Sequence, residues 1–293
     1  MPEVNSWIQA TRPKTLTAIA APVLIGTALA IADQSFHLIT AFLCLLVGLF
    51  IQIGTNFAND YYDFIKGADT EKRVGPTRAV QAGLIQPDSM KKAFLVVFGL
   101  AIFVSLILVL RGGWGMLALG LISCLFGYLY TGGPKPLAYS GLGDIFVIIF
   151  FGPVAVCTTY YLQALSLSRE SVWMGFACGL LSTAILVANN LRDETTDREA
   201  NKQTVVVRFG KTFGRLEYVF CCVIAFLIPI YLNGQLEKTA LLFLYFLSMI
   251  FLIKPLKTVL STSDPHELGP VLGQTGKLLF IYSLLFSLGW VLS

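Results

Sequence analysis

Charge is scarce in this sequence. Of its 293 residues, 13% are Asp, Glu, Lys or Arg, against 56% hydrophobic residues and a mean hydropathy of +0.74. That is far more apolar surface than a soluble core can hide, so a water-soluble globular domain is excluded and the chain belongs in a bilayer. Histidine is nearly absent. His37 and His266 are the two, and neither lies close in sequence to a run of carboxylates, which argues against a His-ligated metal or a His-based nucleophilic triad. The six cysteines (Cys44, Cys124, Cys157, Cys178, Cys221, Cys222) are scattered through apolar runs without metal-type spacing and read as small core residues. A net charge of +4, with the basic residues gathered around the acidic ones, is no nucleic-acid signature.

Long apolar runs are what the sequence has in abundance. Nine candidate spans, at approximate limits 15–32, 38–58, 93–110, 114–131, 142–163, 172–190, 216–232, 239–257 and 276–292, approach the roughly 20 residues a spanning helix needs. Lipid offers the backbone no hydrogen-bond partners, so segments of this length must be helices. The expected fold is all-α: a polytopic membrane protein, one domain over residues 1–293, built as a bundle of nine transmembrane helices with a cytoplasmic Asp-rich active site. Arg12 and Lys14, an apolar run and Ala28-Leu29-Ala30 have the layout of a secretory signal, but the run is kept as the first helix, with a kink expected from Pro22 and Gly26. Eighteen of the 21 Lys and Arg residues fall on one side of such a bundle, and only Arg111, Arg169 and Lys238 on the other. By the positive-inside rule this places the N-terminus and both acidic clusters in the cytoplasm, and Ser293 on the far side.

The acidic residues are concentrated. Eight of the 17 (Asp60, Asp63, Asp69, Glu71, Asp193, Glu194, Asp197, Glu199) belong to two places, each at the end of an apolar run. Asn56, Asp60 and Asp63 recur at i, i+4 and i+7, one face of a helix, and Asn189, Asn190, Asp193 and Asp197 form a second such face. At an effective dielectric near 20, two carboxylates about 6 Å apart repel by about 3 kcal/mol unless a cation sits between them. Oxygen-only donors with Lys and Arg nearby suit Mg²⁺ bridging the protein to a diphosphate. A cavity at lipid depth suits the long hydrocarbon tail of a prenyl diphosphate, whose C–O bond ionises as the leaving group is stabilised.

The cations are ambiguous. Arg12 and Lys14 taken alone read slightly better as membrane anchors, Lys91 and Lys92 read best that way, and Arg73 and Arg78 lie in a basic, glycine-containing loop that serves equally as a solvated loop or as a cap on an anionic ligand. In the turn-rich stretch 131–144, Lys135, Tyr139 and Asp144 stand out. The last three helices are taken to bring no acidic residue into the membrane.

These motifs resemble the UbiA superfamily of intramembrane aromatic prenyltransferases. The likeness rests on Asn56-x-x-x-Asp60-x-x-Asp63 and Asp193-x-x-x-Asp197. It is strengthened by Arg12-Pro-Lys-Thr-Leu16, Asn59-Asp-Tyr-Tyr-Asp63, Lys66-Gly67, Asp69, Gly75-Pro-Thr-Arg78, Asn189-Asn-Leu-Arg-Asp193, Arg198-Glu199, Thr204 and Val207-Arg208, which look like the branch that prenylates 1,4-dihydroxy-2-naphthoate in menaquinone formation. It runs from about residue 7 to 215, the last three helices matching only in being hydrophobic. Much of the superfamily places a second Asp four residues after the first; here Asp63 follows Asp60 by three and Phe64 holds the four-residue position.

The resemblance implies Mg²⁺ binding by Asp60, Asp63, Asp193 and Asp197, with Asn56 and Asn189 as ligands or orienting groups, and contacts from Arg12, Arg78, Lys135 and Tyr139 to the diphosphate of a polyprenyl diphosphate. It implies alkylation of 1,4-dihydroxy-2-naphthoate with loss of diphosphate and CO₂ to give demethylmenaquinone, in a bacterial cytoplasmic (inner) membrane. No base is identified beyond Asp144 as a candidate. Other aromatic acceptors (4-hydroxybenzoate, homogentisate, haem) stay open, as does an ion-coupled transporter, although transporter sites lie near the midplane and both clusters here lie at one face.

Overall fold

In the computed structural model the described residues are 3–69, 74–236 and 239–293, without the side chains at 14, 235, 236 and 239–243. Glu71, Lys72, Arg73, Lys238 and the side chain of Lys14 therefore lie outside the described set. All regular structure among the described residues is helical: α1 (Val4–Ala10), α2 (Pro13–Ala32), α3 (Leu38–Ile65), α4 (Pro87–Gly112), α5 (Gly115–Leu129), α6 (Gly143–Ile149), α7 (Ala155–Ala164), α8 (Arg169–Glu199), α9 (Val205–Leu236), α10 (Thr239–Ser248), α11 (Ile250–Ser261) and α12 (Pro265–Leu292). A π turn at Phe150–Val154 joins α6 to α7, making one broken span. Among the described residues eight helical segments are long and apolar enough to cross a membrane. The shorter α5 completes the set, so each of the nine expected runs falls on one.

Sequence sets the helix starts. Ser168 accepts from Ser171 N–H at the head of α8 and Asp264 from His266 N–H at the head of α12, the side-chain oxygen satisfying a free backbone donor. Pro87 and Pro265 occupy first-turn positions, where a missing N–H costs nothing. Pro22 sits inside an unbroken α2, whereas the break falls at Gly152-Pro153. There, proline removes a ladder hydrogen bond and Gly152 leaves helical geometry. The glycine also lets two backbones touch: a Cβ on Gly152 would lie 2.6 Å from the carbonyl oxygen of Gly175 on α8.

The helices pack in two groups. A large core joins α2, α7, α8, α9 and α12 around Ile25, Leu181, Tyr218 and Tyr282, and a smaller one joins α3, α4 and α5 around Phe57, Phe94 and Phe98. Outward faces carry exposed Leu95, Phe103, Leu110, Phe220, Ile253 and Leu292, apolar surface that lipid covers. Hydropathy marked where α3 and α8 enter the membrane but not where they end. α3 continues seven residues past 58 to Ile65 and α8 nine past 190 to Glu199, so both acidic clusters ride on rigid helical extensions.

Candidate active site

Each cluster is built from one buried helix face. Asp60, Asp63, Asp193 and Asp197 are only 2%, 3%, 4% and 7% exposed. On α3, Asp60 accepts from the main-chain N–H groups of Ala79 (3.1 Å) and Val80 (3.3 Å). The Asn59 amide donates to Asp63 Oδ2 at 2.9 Å, one turn on, and Tyr139 Oη donates to Asp63 Oδ1 at 2.8 Å. The three-residue spacing thus turns Asp63 inward, while Phe64, 37% exposed, faces out. Asn56 donates to the Thr11 carbonyl at 2.8 Å. Arg12, the residue that closes the C-terminal end of α1, donates to Asn59 Oδ1 from a left-handed backbone conformation (φ 55°).

On α8 the partners are cations. Arg192 grips Asp193 with two bonds of 2.7 Å and donates to Asn189 Oδ1 at 2.7 Å. Lys202 lies 3.4 Å from Asp197 Oδ1. Both cations were passed over in the sequence. Their only signal there is adjacency, Arg192 one residue before Asp193 and Lys202 five after Asp197.

Tyr139 joins the two clusters. Lys66, just past the end of α3, sits 4.8 Å from the centre of its ring, and Lys202, just past the end of α8, sits 5.9 Å from it. Its carbonyl accepts from Gln203 N–H at 3.3 Å. Burial first, then the charge of Asp63, pushes the phenol well above its ordinary pKa, so it stays a protonated donor. Arg78 pairs with Asp69 at 3.5 Å. Lys135 is exposed and lines a shallow depression with Lys66 and Tyr139 instead of joining Arg12 and Arg78.

A cavity of about 320 Å³ opens beside both clusters, lined by their amides Asn56, Asn59, Asn189 and Asn190 and not by the four carboxylates. Its polar end is lined by Arg12, Asn56, Asn59, Arg78, Asn189, Asn190 and Lys202; Ile51, Leu108, Met116 and Leu162 line the apolar remainder. Among the described residues no three of His, Cys, Asp and Glu converge on one point; each carboxylate is held by a nitrogen or hydroxyl donor. The donor set still fits a hard divalent cation, since the four buried carboxylates and the flanking amides offer only oxygen ligands.

One expectation is corrected. Helix α9 does carry an acid, Glu217, inside its apolar span, with one carboxylate oxygen buried and lacking a hydrogen-bond partner. The residue stands second in the apolar run 216–232, where the bulk of its neighbours masks it in the hydropathy.

Residues 19–268 match the UbiA prenyltransferase family. The chain belongs to that family. Among its relatives, the 1,4-dihydroxy-2-naphthoate octaprenyltransferase of Escherichia coli (strain K12) is 38% identical, with 99% of this chain and 96% of the relative covered. The enzyme of the same name from Mycobacterium tuberculosis is 36% identical over 97% and 96%. The likeness therefore reaches well beyond residue 215, through the last helices. A UbiA homolog from Aeropyrum pernix superposes with a TM-score of 0.70 at 13% identity, covering 95% of this chain and 97% of that one. An Archaeoglobus fulgidus homolog bound to GPP and Mg²⁺ superposes at 0.63 and 16%, covering 96% and 99%. At such identities the structures establish the fold, and the UbiA chain described here is an all-helical integral membrane protein.

Proposed function

We propose that this UbiA-family chain transfers a polyprenyl group from polyprenyl diphosphate to 1,4-dihydroxy-2-naphthoate, with release of diphosphate and CO₂, to give demethylmenaquinone. The observation that carries the reading is the joint one of near-full-length relatives bearing that activity in their names and a cavity polar at one end and apolar beyond it. Asp60, Asp63, Asp193 and Asp197 hold Mg²⁺, with Asn56 and Asn189 as amide-oxygen ligands or orienting groups. When bound, Mg²⁺ supplies Lewis-acid stabilisation of the departing diphosphate.

The chain's own cations do the complementary work. Arg12 and Arg78 reach the diphosphate from the polar end of the cavity, with Lys202 beside them, while Lys135 and Tyr139, in the separate depression with Lys66, act on it from outside the cavity. The apolar lining takes the prenyl chain and keeps water from the allylic cation. Loss of CO₂ in place of a ring proton lowers the demand on a protein base. The basic side of the bundle, with the site, faces the cytoplasm of a bacterial inner membrane, and residues 1–293 act as one domain. The test is turnover by purified protein in detergent, with dihydroxynaphthoate and 4-hydroxybenzoate in parallel. Prenylation of the naphthoate supports the reading, and prenylation of hydroxybenzoate alone sinks it.

A further inference from the structure

Below the polar end, Asp144 lines the same cavity from the first turn of α6. It is 5% exposed, and its Oδ1 is buried with no hydrogen-bond partner. Such an atom is costly in an apolar setting, and native structures leave few of them without a role. The same cavity also carries an aromatic wall. Phe146 and Phe150 stack at 6.0 Å, Phe126 of α5 packs against them at 4.8 and 5.4 Å, and all three line the cavity. A hydrogen-bond acceptor in one cavity with a flat apolar wall complements a planar ring that carries a hydroxyl. It does not complement a prenyl chain, which has no donor, or a diphosphate, which the carboxylate would repel.

We propose that Asp144 and the Phe126–Phe146–Phe150 wall form the subsite for the aromatic acceptor, Asp144 Oδ1 accepting a hydrogen bond from a ring hydroxyl while the ring lies on the phenylalanines. This rests on the function proposed above and deepens it: Asp144 selects hydroxylated rings and fixes which ring carbon meets the prenyl cation. Thr183 Oγ1 donates to the Asp144 carbonyl at 3.4 Å, and Gly143, before it, sits against Tyr130 and Leu186. The backbone that carries Asp144 is thus held by α8 and by the end of α5.

The test is a binding titration, followed by fluorescence, of detergent-solubilised protein with 1,4-dihydroxy-2-naphthoate and with its dimethyl ether, in the absence of prenyl diphosphate. Asp144→Leu keeps the approximate shape without the acceptor, and Asp144→Asn keeps the shape and a weaker one. A charge-assisted hydrogen bond predicts about tenfold weaker naphthoate binding for Asp144→Leu and a smaller loss for Asp144→Asn. The ether should bind more weakly than the diol to wild type, and equally to Asp144→Leu. Prenyl diphosphate binding, titrated separately, should be unchanged in both variants. Naphthoate binding within twofold of wild type in Asp144→Leu, or loss of naphthoate and prenyl diphosphate together, overturns the assignment. Because these titrations need no turnover, a wild type that binds the diol through Asp144 yet fails to prenylate it refutes the proposed reaction and leaves the subsite standing.

Discussion

The two acidic helix ends repeat one pattern, Asn-x-x-x-Asp, with different direct partners among the described residues. On α3 the carboxylates rest on neutral donors: two main-chain N–H groups, an amide and a phenol. On α8 they rest on Arg192 and Lys202. Neutral donors satisfy a carboxylate without cancelling its charge, so the α3 end keeps its attraction for a cation. The α8 end is already compensated and must trade a protein cation for a metal. A sequence repeat thus need not be a functional repeat, because partners from elsewhere in the chain decide what each copy does.

The largest effects should come from removing charge at either end. Asp60→Asn and Asp193→Asn are each expected to lower turnover by about a thousandfold or more, the scale of lost transition-state stabilisation by a bound metal, with thermal unfolding in detergent confirming that the protein stays folded. Substantial activity in one variant alone would reduce the pair to a single working end. Excess EDTA should stop turnover and added Mg²⁺ restore it, and chelator-resistant activity would remove the metal from both ends at once.

A sharper probe is Arg192→Gln, which removes the guanidinium partner of Asp193 and Asn189. If the α8 end exchanges Arg192 for metal, the Mg²⁺ concentration giving half-maximal rate should fall several-fold. A rise would make Arg192 an essential support instead. A smaller effect is expected from Tyr139→Phe, which deletes one hydrogen bond to the Asp63 carboxylate, worth about 1.5 kcal/mol or somewhat more. A loss of about tenfold in kcat/KM for prenyl diphosphate is expected, with no new pH dependence between pH 6 and 9, since the phenol is held protonated throughout by burial and the Asp63 charge. A loss as large as that of Asp60→Asn would mean that Tyr139 is the joint on which both ends depend.

The legible part of the structure is the part written locally. Apolar runs located the spans, and helical spacing put Asn56, Asp60 and Asp63 on one face. Their extent was less legible, because hydropathy stops at the membrane surface while the helical ladder of α3 and α8 runs on to Ile65 and Glu199. Contacts that cross the chain were hardest to read. Nothing near Asp60 says that Ala79 and Val80 will supply its donors, and nothing near Lys135 says that its side chain will lie exposed outside the cavity. The break at Gly152-Pro153 is a local signal that went unused, as was Glu217, an acid hidden by the bulk of its neighbours.

The close seating of the broken span on α8 carries a consequence for variation. At Gly179 a methyl group would meet the main-chain carbonyl of Ile148, and at Gly175 the backbone of Pro153, with no flexible side chain to give way. Even alanine there would drive a wedge between the broken span and α8, shifting Asp144 relative to the cavity it lines. Two residues with no chemistry of their own therefore set the distance across which the reacting partners must meet.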